Sequence, residues 1–220
     1  MQDFIERTAY VSPEIQSPFY PPLESGGPRE HLMWVEKTRR AVDMPIFASL
    51  NAVSPGTWVE YARQLQETGV AGLEINYYTV ATDPDVPGTE LEKALFDIVS
   101  SVTDAVDIPV AVKLSPYYSS VPYIVKQLEA RGAKAVVMFN RFLQPDIDVD
   151  EENLVNSMVY SDPAEMKVPL RWTALLYGRT GIDIALNTGV HTGKDIAKAI
   201  LAGATAVQCA AALLQNGLPY

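Results

Sequence analysis

Apolar residues along this chain are gathered into short runs. Six of these, near 46–50, 72–76, 110–114, 135–139, 182–186 and 205–209, read as strands. They are too short for helices and lack strict alternation, as expected of a parallel sheet covered on both sides. Between them, apolar positions recur at helical spacing near 55–68, 89–105, 119–131, 163–178 and 192–202. The boundaries carry their own chemistry. Ser54-Pro55 suits an N-cap followed by a first helical residue, and Thr192 with Asp195 forms a capping box. Gly69, Gly132 and Gly203 each stand where a helix ends and a buried strand follows at once, the place for a left-handed C-terminal cap.

Internal echoes support this reading. Ala41-Val-Asp-Met-Pro and Ala105-Val-Asp-Ile-Pro each close a helix, break it with proline and lead into a strand. The helix-Gly-strand pattern recurs around Gly69, Gly132 and Gly203. Strict strand–helix alternation means an α/β fold. The repetition predicts a (β/α)8 TIM barrel that is incomplete, with six of its eight strands recognisable. A doubly wound sheet competes, but no G-x-G-x-x-G follows any strand. Two units at the front and a helix at the back are the expected missing parts. Residues 1–29 differ from the rest: Pro13, Pro18, Pro21, Pro22, Gly26, Gly27 and Pro28 exclude a helix or inner strand there. That segment is expected to lie on the surface, and 30–220 to form the barrel domain.

Composition narrows the function. The chain has 220 residues, 48% hydrophobic and 20% charged, which excludes wholesale disorder. With 17 basic against 27 acidic residues, the net charge is −10, so no basic face for nucleic acid is expected. The single Cys209 excludes an internal disulfide, and with only His31 and His191 no metal site is expected. No apolar run approaches the ~18 residues of a membrane span, and residues 1–7 lack the pattern of a signal peptide. A cytoplasmic location is the expectation. Asp83, Asp85, Asp146, Asp148 and Asp150 lack calcium-loop spacing and read as solvated loops.

The ends of parallel barrel strands form the reactive face. Here they offer Ser49 and Asn51, Asn76, Lys113 and Ser115, Asn140, and Asn187 with Thr188. Asparagine presents a donor and an acceptor in one plane, so a row of them matches a flat heterocycle with N–H and C=O edges. Lys113, inside the apolar run Val110-Ala-Val-Lys-Leu, either snorkels outward or lines the barrel facing a ligand anion or an electron-rich ring. Thr188-Gly-Val-His-Thr-Gly-Lys194 and Cys209-Ala-Ala-Ala-Leu213 each open a helix with small residues. That suits a phosphate, and it equally suits tight packing. Tyr77, Tyr78, Tyr117 and Tyr118 could wall a planar ligand or close the barrel top.

Phe47-Ala-Ser-Leu-Asn51, Leu73-Glu-Ile-Asn76, Val110-Ala-Val-Lys-Leu-Ser115, Val137-Met-Phe-Asn140 and Thr188-Gly-Val-His191, taken in order, resemble the dihydroorotate dehydrogenase family. The resemblance runs from about Glu30 to Gly217. It implies an FMN-dependent TIM barrel that oxidises dihydroorotate to orotate in pyrimidine biosynthesis, working as a homodimer on a small-molecule substrate. By the same resemblance Lys113 would stand beside flavin N1 and O2. Asn51, Asn76 and Asn140 would hold substrate, and Ser49, Asn76, Lys113 and Asn140 the cofactor. Thr188-Gly189 and Ala210-Ala211 would receive its phosphate. Thr79 falls nearest the family's Cys or Ser base. Two alternatives stay open: a barrel that binds FMN or phosphate without catalysis, and a lyase with Lys113 as Schiff-base nucleophile.

Overall fold

The computed structural model describes residues 28–51, 55–77, 79–142, 146–155 and 160–217. Helix α1 (Pro28–Ala41) leads into strand β1 (Phe47–Leu50). Then come α2 (Pro55–Glu67), β2 (Gly72–Asn76), α3 (Gly88–Thr103), β3 (Val110–Leu114), α4 (Val121–Ala130) and β4 (Ala135–Met138). A two-stranded insertion follows, β5 (Asp146–Asp148) and β6 (Asn153–Val155). After a 3-10 turn at Pro163–Met166 the alternation resumes with α5 (Lys167–Leu176), β7 (Asp183–Leu186), α6 (Gly193–Leu201), β8 (Ala206–Val207) and α7 (Ala211–Asn216).

The six main strands form one sheet in the order β1-β2-β3-β4-β7-β8, and every pairing in it is parallel. Strands laid down side by side in chain order, with right-handed crossovers, put all their helices on one face. The sheet therefore curls as part of a barrel. Its convex side carries Ala48, Leu50, Leu73, Ile75, Val112, Leu114, Val136, Met138 and Ile184, all buried against Trp58, Leu65, Leu95, Ile124 and Leu128 of the helices. The opposite parity faces the hollow. There Phe47 is 57% exposed, and Ser49 and Ala206 are exposed too.

Most expected elements are present within one or two residues, and Gly69, Gly132 and Gly203 have φ of 80°, 90° and 105°. Four points differ. The expected cover on both faces holds for β2 and β3, which are buried throughout, but not for β1 and β7, where burial alternates. The acidic stretch expected to be loop forms the β5–β6 hairpin, whose turn is held by the Asp148 carboxylate accepting from the amides of Asp150 and Glu151. The expected helix 163–178 is a capped 3-10 turn followed by α5. Helix α1 begins at Pro28, inside the 1–29 segment expected to exclude a helix, because proline is tolerated at the first helical position. The Ser54 cap and the segment before Pro28 lie outside the described residues.

Candidate active site

The period-two geometry of strands decides which polar residues meet. Glu74 and Asn76 lie two apart on β2 and so share the concave face. In the parallel register Ser49 stands opposite Glu74 and Asn76 opposite Lys113. Glu74 stands opposite Ala111, so Lys113 is its diagonal neighbour, within reach of a long side chain. The Lys113 ammonium lies 3.5 Å from Glu74 Oε1, and both side chains are more than nine-tenths buried. Ser49 Oγ donates to the same oxygen at 3.3 Å. The Gln208 amide, arriving from the far edge of the sheet just after β8, donates to Oε2. One carboxylate thus ties three strand ends across the hollow.

Two further polar groups join at the rim. Asn140 Nδ2 donates to Asn76 Oδ1 at 2.9 Å, and both residues are buried. Asn187 Nδ2 and Thr188 Oγ1 both donate to the carbonyl of Phe139 at 2.9 Å, which fixes the turn after β7 against the end of β4. Thr188 and Gly189 have φ of 79° and 74°. A side chain at Gly189 would bring Cβ to 2.5 Å from the Met166 amide nitrogen, so this close backbone approach admits glycine only.

Of the residues singled out from the sequence, Ser49, Asn76, Lys113 and Asn140 share this concave face. Asn51 is exposed just beyond β1. Thr79 is exposed as well and lines a cavity of about 440 Å³ with Tyr77, Glu92, Ser115, Tyr117 and Tyr118. Neither Lys113 nor Asn140 lines that cavity. Tyr77, Tyr117 and Tyr118 therefore wall a hollow beside the polar row, and Tyr78 lies outside the described residues. Burial, then the neighbouring Tyr77 and Glu92, push the Tyr118 hydroxyl well above the ordinary range. Next to it Tyr117 stacks on Phe142, with centroids 5.2 Å apart. A larger cavity of about 640 Å³ opens at the N-terminal strand ends between Asp107, Pro109, Arg131 and Lys134, the end of such a fold that serves stability.

The phosphate expectation needs correcting in part. The amides of His191 and Thr192 already donate to the Asp195 carboxylate, which closes the first turn of α6 and would repel an anion there. Helix α7 is only six residues long, with Ala210 as its cap and Ala211 its first residue. What remains for a phosphate is the tight Thr188-Gly189 turn and the small residues at 210–211. Cys209 packs at the edge of a cluster around Met166 and Val190, as a core residue does.

Sequence reasoning missed Glu74 and Gln208. Glu74 could have been flagged, because a carboxylate in the middle of a five-residue apolar strand, beside a strand with a lysine, needs a counter-charge. Gln208 carries no such signal; only the curl of the sheet brings it to Glu74 on β2. Glu74 gives Lys113 an acid neighbour on the adjacent strand.

The donor set fits a flavin. An ammonium, two amides and a hydroxyl stand on the concave face around the Glu74 carboxylate, and a glycine-only turn lies at the end of β7.

Comparison with known proteins agrees in its coarse outline. The family described as Dihydroorotate dehydrogenase matches residues 23–220. A protein of Aeropyrum pernix is 32% identical over 203 residues, 89% of this chain and 65% of its own length. The dihydroorotate dehydrogenase B (NAD(+)) catalytic subunit of Thermoplasma volcanium is 32% identical over 181 residues, 79% of this chain and 58% of its own. The dihydroorotate dehydrogenase A (fumarate) of Lactobacillus delbrueckii subsp. bulgaricus is 29% identical over 186 residues, 80% of this chain and 59% of its own. The chain thus spans 58–65% of the length of these relatives.

Proposed function

The chain belongs to the dihydroorotate dehydrogenase family, and from that premise we propose that it is an FMN-dependent oxidoreductase acting on a CH–CH bond, with dihydroorotate as substrate and orotate as product. The observation that carries this reading is the buried row on the concave face: Lys113 and the Asn76–Asn140 pair, aimed at one hollow. Bound FMN would supply the hydride acceptor. The residues of the chain do the rest. Lys113 places a positive charge where negative charge grows during reduction, which is where such a charge helps most. Asn76 and Asn140, with Asn51 beyond β1, match the alternating N–H and C=O edges of a cyclic diamide. Thr79 would take the substrate proton. A hydroxyl needs help for this, and the carboxylate of Glu92 lines the same cavity. Ser49, Thr188, Gly189, Ala210 and Ala211 complete the cofactor contacts of the reading. No helix among the described residues is long and apolar enough to cross a membrane, and a cytoplasmic homodimer is part of this proposal.

The ion pair argues against the Schiff-base alternative. A carboxylate beside an amine favours its charged form, and an ammonium is no nucleophile.

The test is a titration of the purified protein with FMN. We expect a yellow complex of micromolar or tighter affinity whose absorption is bleached by dihydroorotate under anaerobic conditions. A protein that takes up no FMN overturns the oxidoreductase reading. Uptake without bleaching leaves a flavin-binding barrel and removes the substrate assignment.

A further inference from the structure

Glu74 is the one acid among the concave-face residues described above, and three different elements converge on it. Lys113 from β3 faces Oε1 at 3.5 Å. Ser49 from β1 donates to Oε1 at 3.3 Å, and Gln208, beyond β8, donates to Oε2. A carboxylate only 6% exposed and held from three sides cannot swing away when a ligand enters. The carboxylate is therefore held in place beside the lysine that the flavin reading uses.

We propose that Glu74 is a positioning residue that fixes the Lys113 ammonium and, by offsetting its charge, sets how strongly the site favours the reduced, anionic form of a bound flavin over the neutral oxidised form. The proposal rests on the flavin reading above. Lys113 alone would favour the anionic form strongly. The fixed carboxylate pulls against it, because it attracts the same ammonium and repels the same ligand charge. The offset lessens the site's preference for the reduced form, so that the cofactor is not trapped in it.

The experiment measures the midpoint potential of FMN bound to the whole chain and to two variants. Glu74→Gln keeps the shape and the hydrogen-bonding edge but removes the charge. We expect reduced FMN to gain about tenfold in affinity relative to oxidised FMN, a rise of ~30 mV for a two-electron couple. Glu74→Asp keeps the charge but draws it back by one methylene, so a shift in the same direction of about threefold, ~14 mV, is expected. It carries the test if the glutamine variant does not fold. A merely structural role would lower stability and leave the potential of the flavin-loaded variants unchanged, and that result overturns the proposal, as does a fall in potential. If the unaltered chain takes up no FMN, the flavin reading fails first and this proposal falls with it. Uptake with an unmoved potential sinks this proposal alone.

Discussion

Lys113 and Glu74 show how much a single buried charge depends on its neighbour. Each sits in a strand otherwise made of apolar residues, and each is more than nine-tenths buried. Removing one partner leaves the other without a counter-charge in a poorly solvated site, which costs about 3–5 kcal/mol, whereas replacing both by neutral groups is often close to neutral. Lys113→Met is therefore expected to lower unfolding free energy by roughly that amount, and adding Glu74→Gln to restore most of it. Urea unfolding of the two single variants and the double variant measures the coupling. Equal losses that simply add would mean the two charges do not interact. The lysine was legible in the sequence as an oddity within Val110–Leu114. Its partner was not identified, because strand register, not sequence distance, places Glu74 diagonal to it.

Among the elements, α6 has the most completely defined start. Thr192 Oγ1 accepts from the Asp195 amide, and the Asp195 carboxylate in turn accepts from Thr192. Lys198 adds an ion pair at 2.8 Å. The hydrogen bonds from Lys198 and then Thr192 hold the Asp195 carboxyl at about 2, below its ordinary value of 3.8. Because the folded value is depressed, the stability this group supplies is fully present above the ordinary value and fades as pH falls toward about 2. Asp195→Asn should thus be less stable than the unaltered protein at pH 7, by about 1 kcal/mol, as for a negative charge lost from the first turn of a helix. The gap in Tm should close between pH 4 and pH 2. Thermal melts across that range provide the check, and a gap independent of pH would show that the carboxylate charge is irrelevant. This capping box was readable from Thr192 and Asp195 alone. What could not be read is that it uses up the amides of His191 and Thr192, which takes that turn away from a phosphate.

For the molecule as a whole, the six-stranded sheet curls without closing among the described residues, with β1 and β8 at its edges. A parallel barrel has eight strands. An apolar strand edge with unpaired backbone groups invites association, and Phe47 on β1 is exposed on the concave side. We expect this 220-residue chain to associate in solution, most simply as a two-fold symmetric dimer. Sedimentation at micromolar concentration decides it. A monodisperse monomer of 24.1 kDa would show that the edges are covered from within the chain.

The sequence alone determined the order of the six main strands, the glycine caps, the Thr192–Asp195 capping box and the parallel α/β class. All of these follow from local periodicity and from residues with narrow backbone preferences, such as the glycines at 69, 132 and 203. It also marked Asn76, Lys113 and Asn140, because polar groups in apolar strands stand out wherever they fold. Only the tertiary structure decided which of these groups touch. The Glu74 carboxylate receives bonds from residues 25 and 134 positions away, and Asn76 meets Asn140 across 64. Those contacts depend on sheet register and curl, which no local pattern encodes. The hairpin at 146–155 escaped for a related reason. Its first strand is the acidic run Asp146-Ile-Asp148 with Ile147 64% exposed, so pairing with β6, not hydrophobic patterning, makes it a strand.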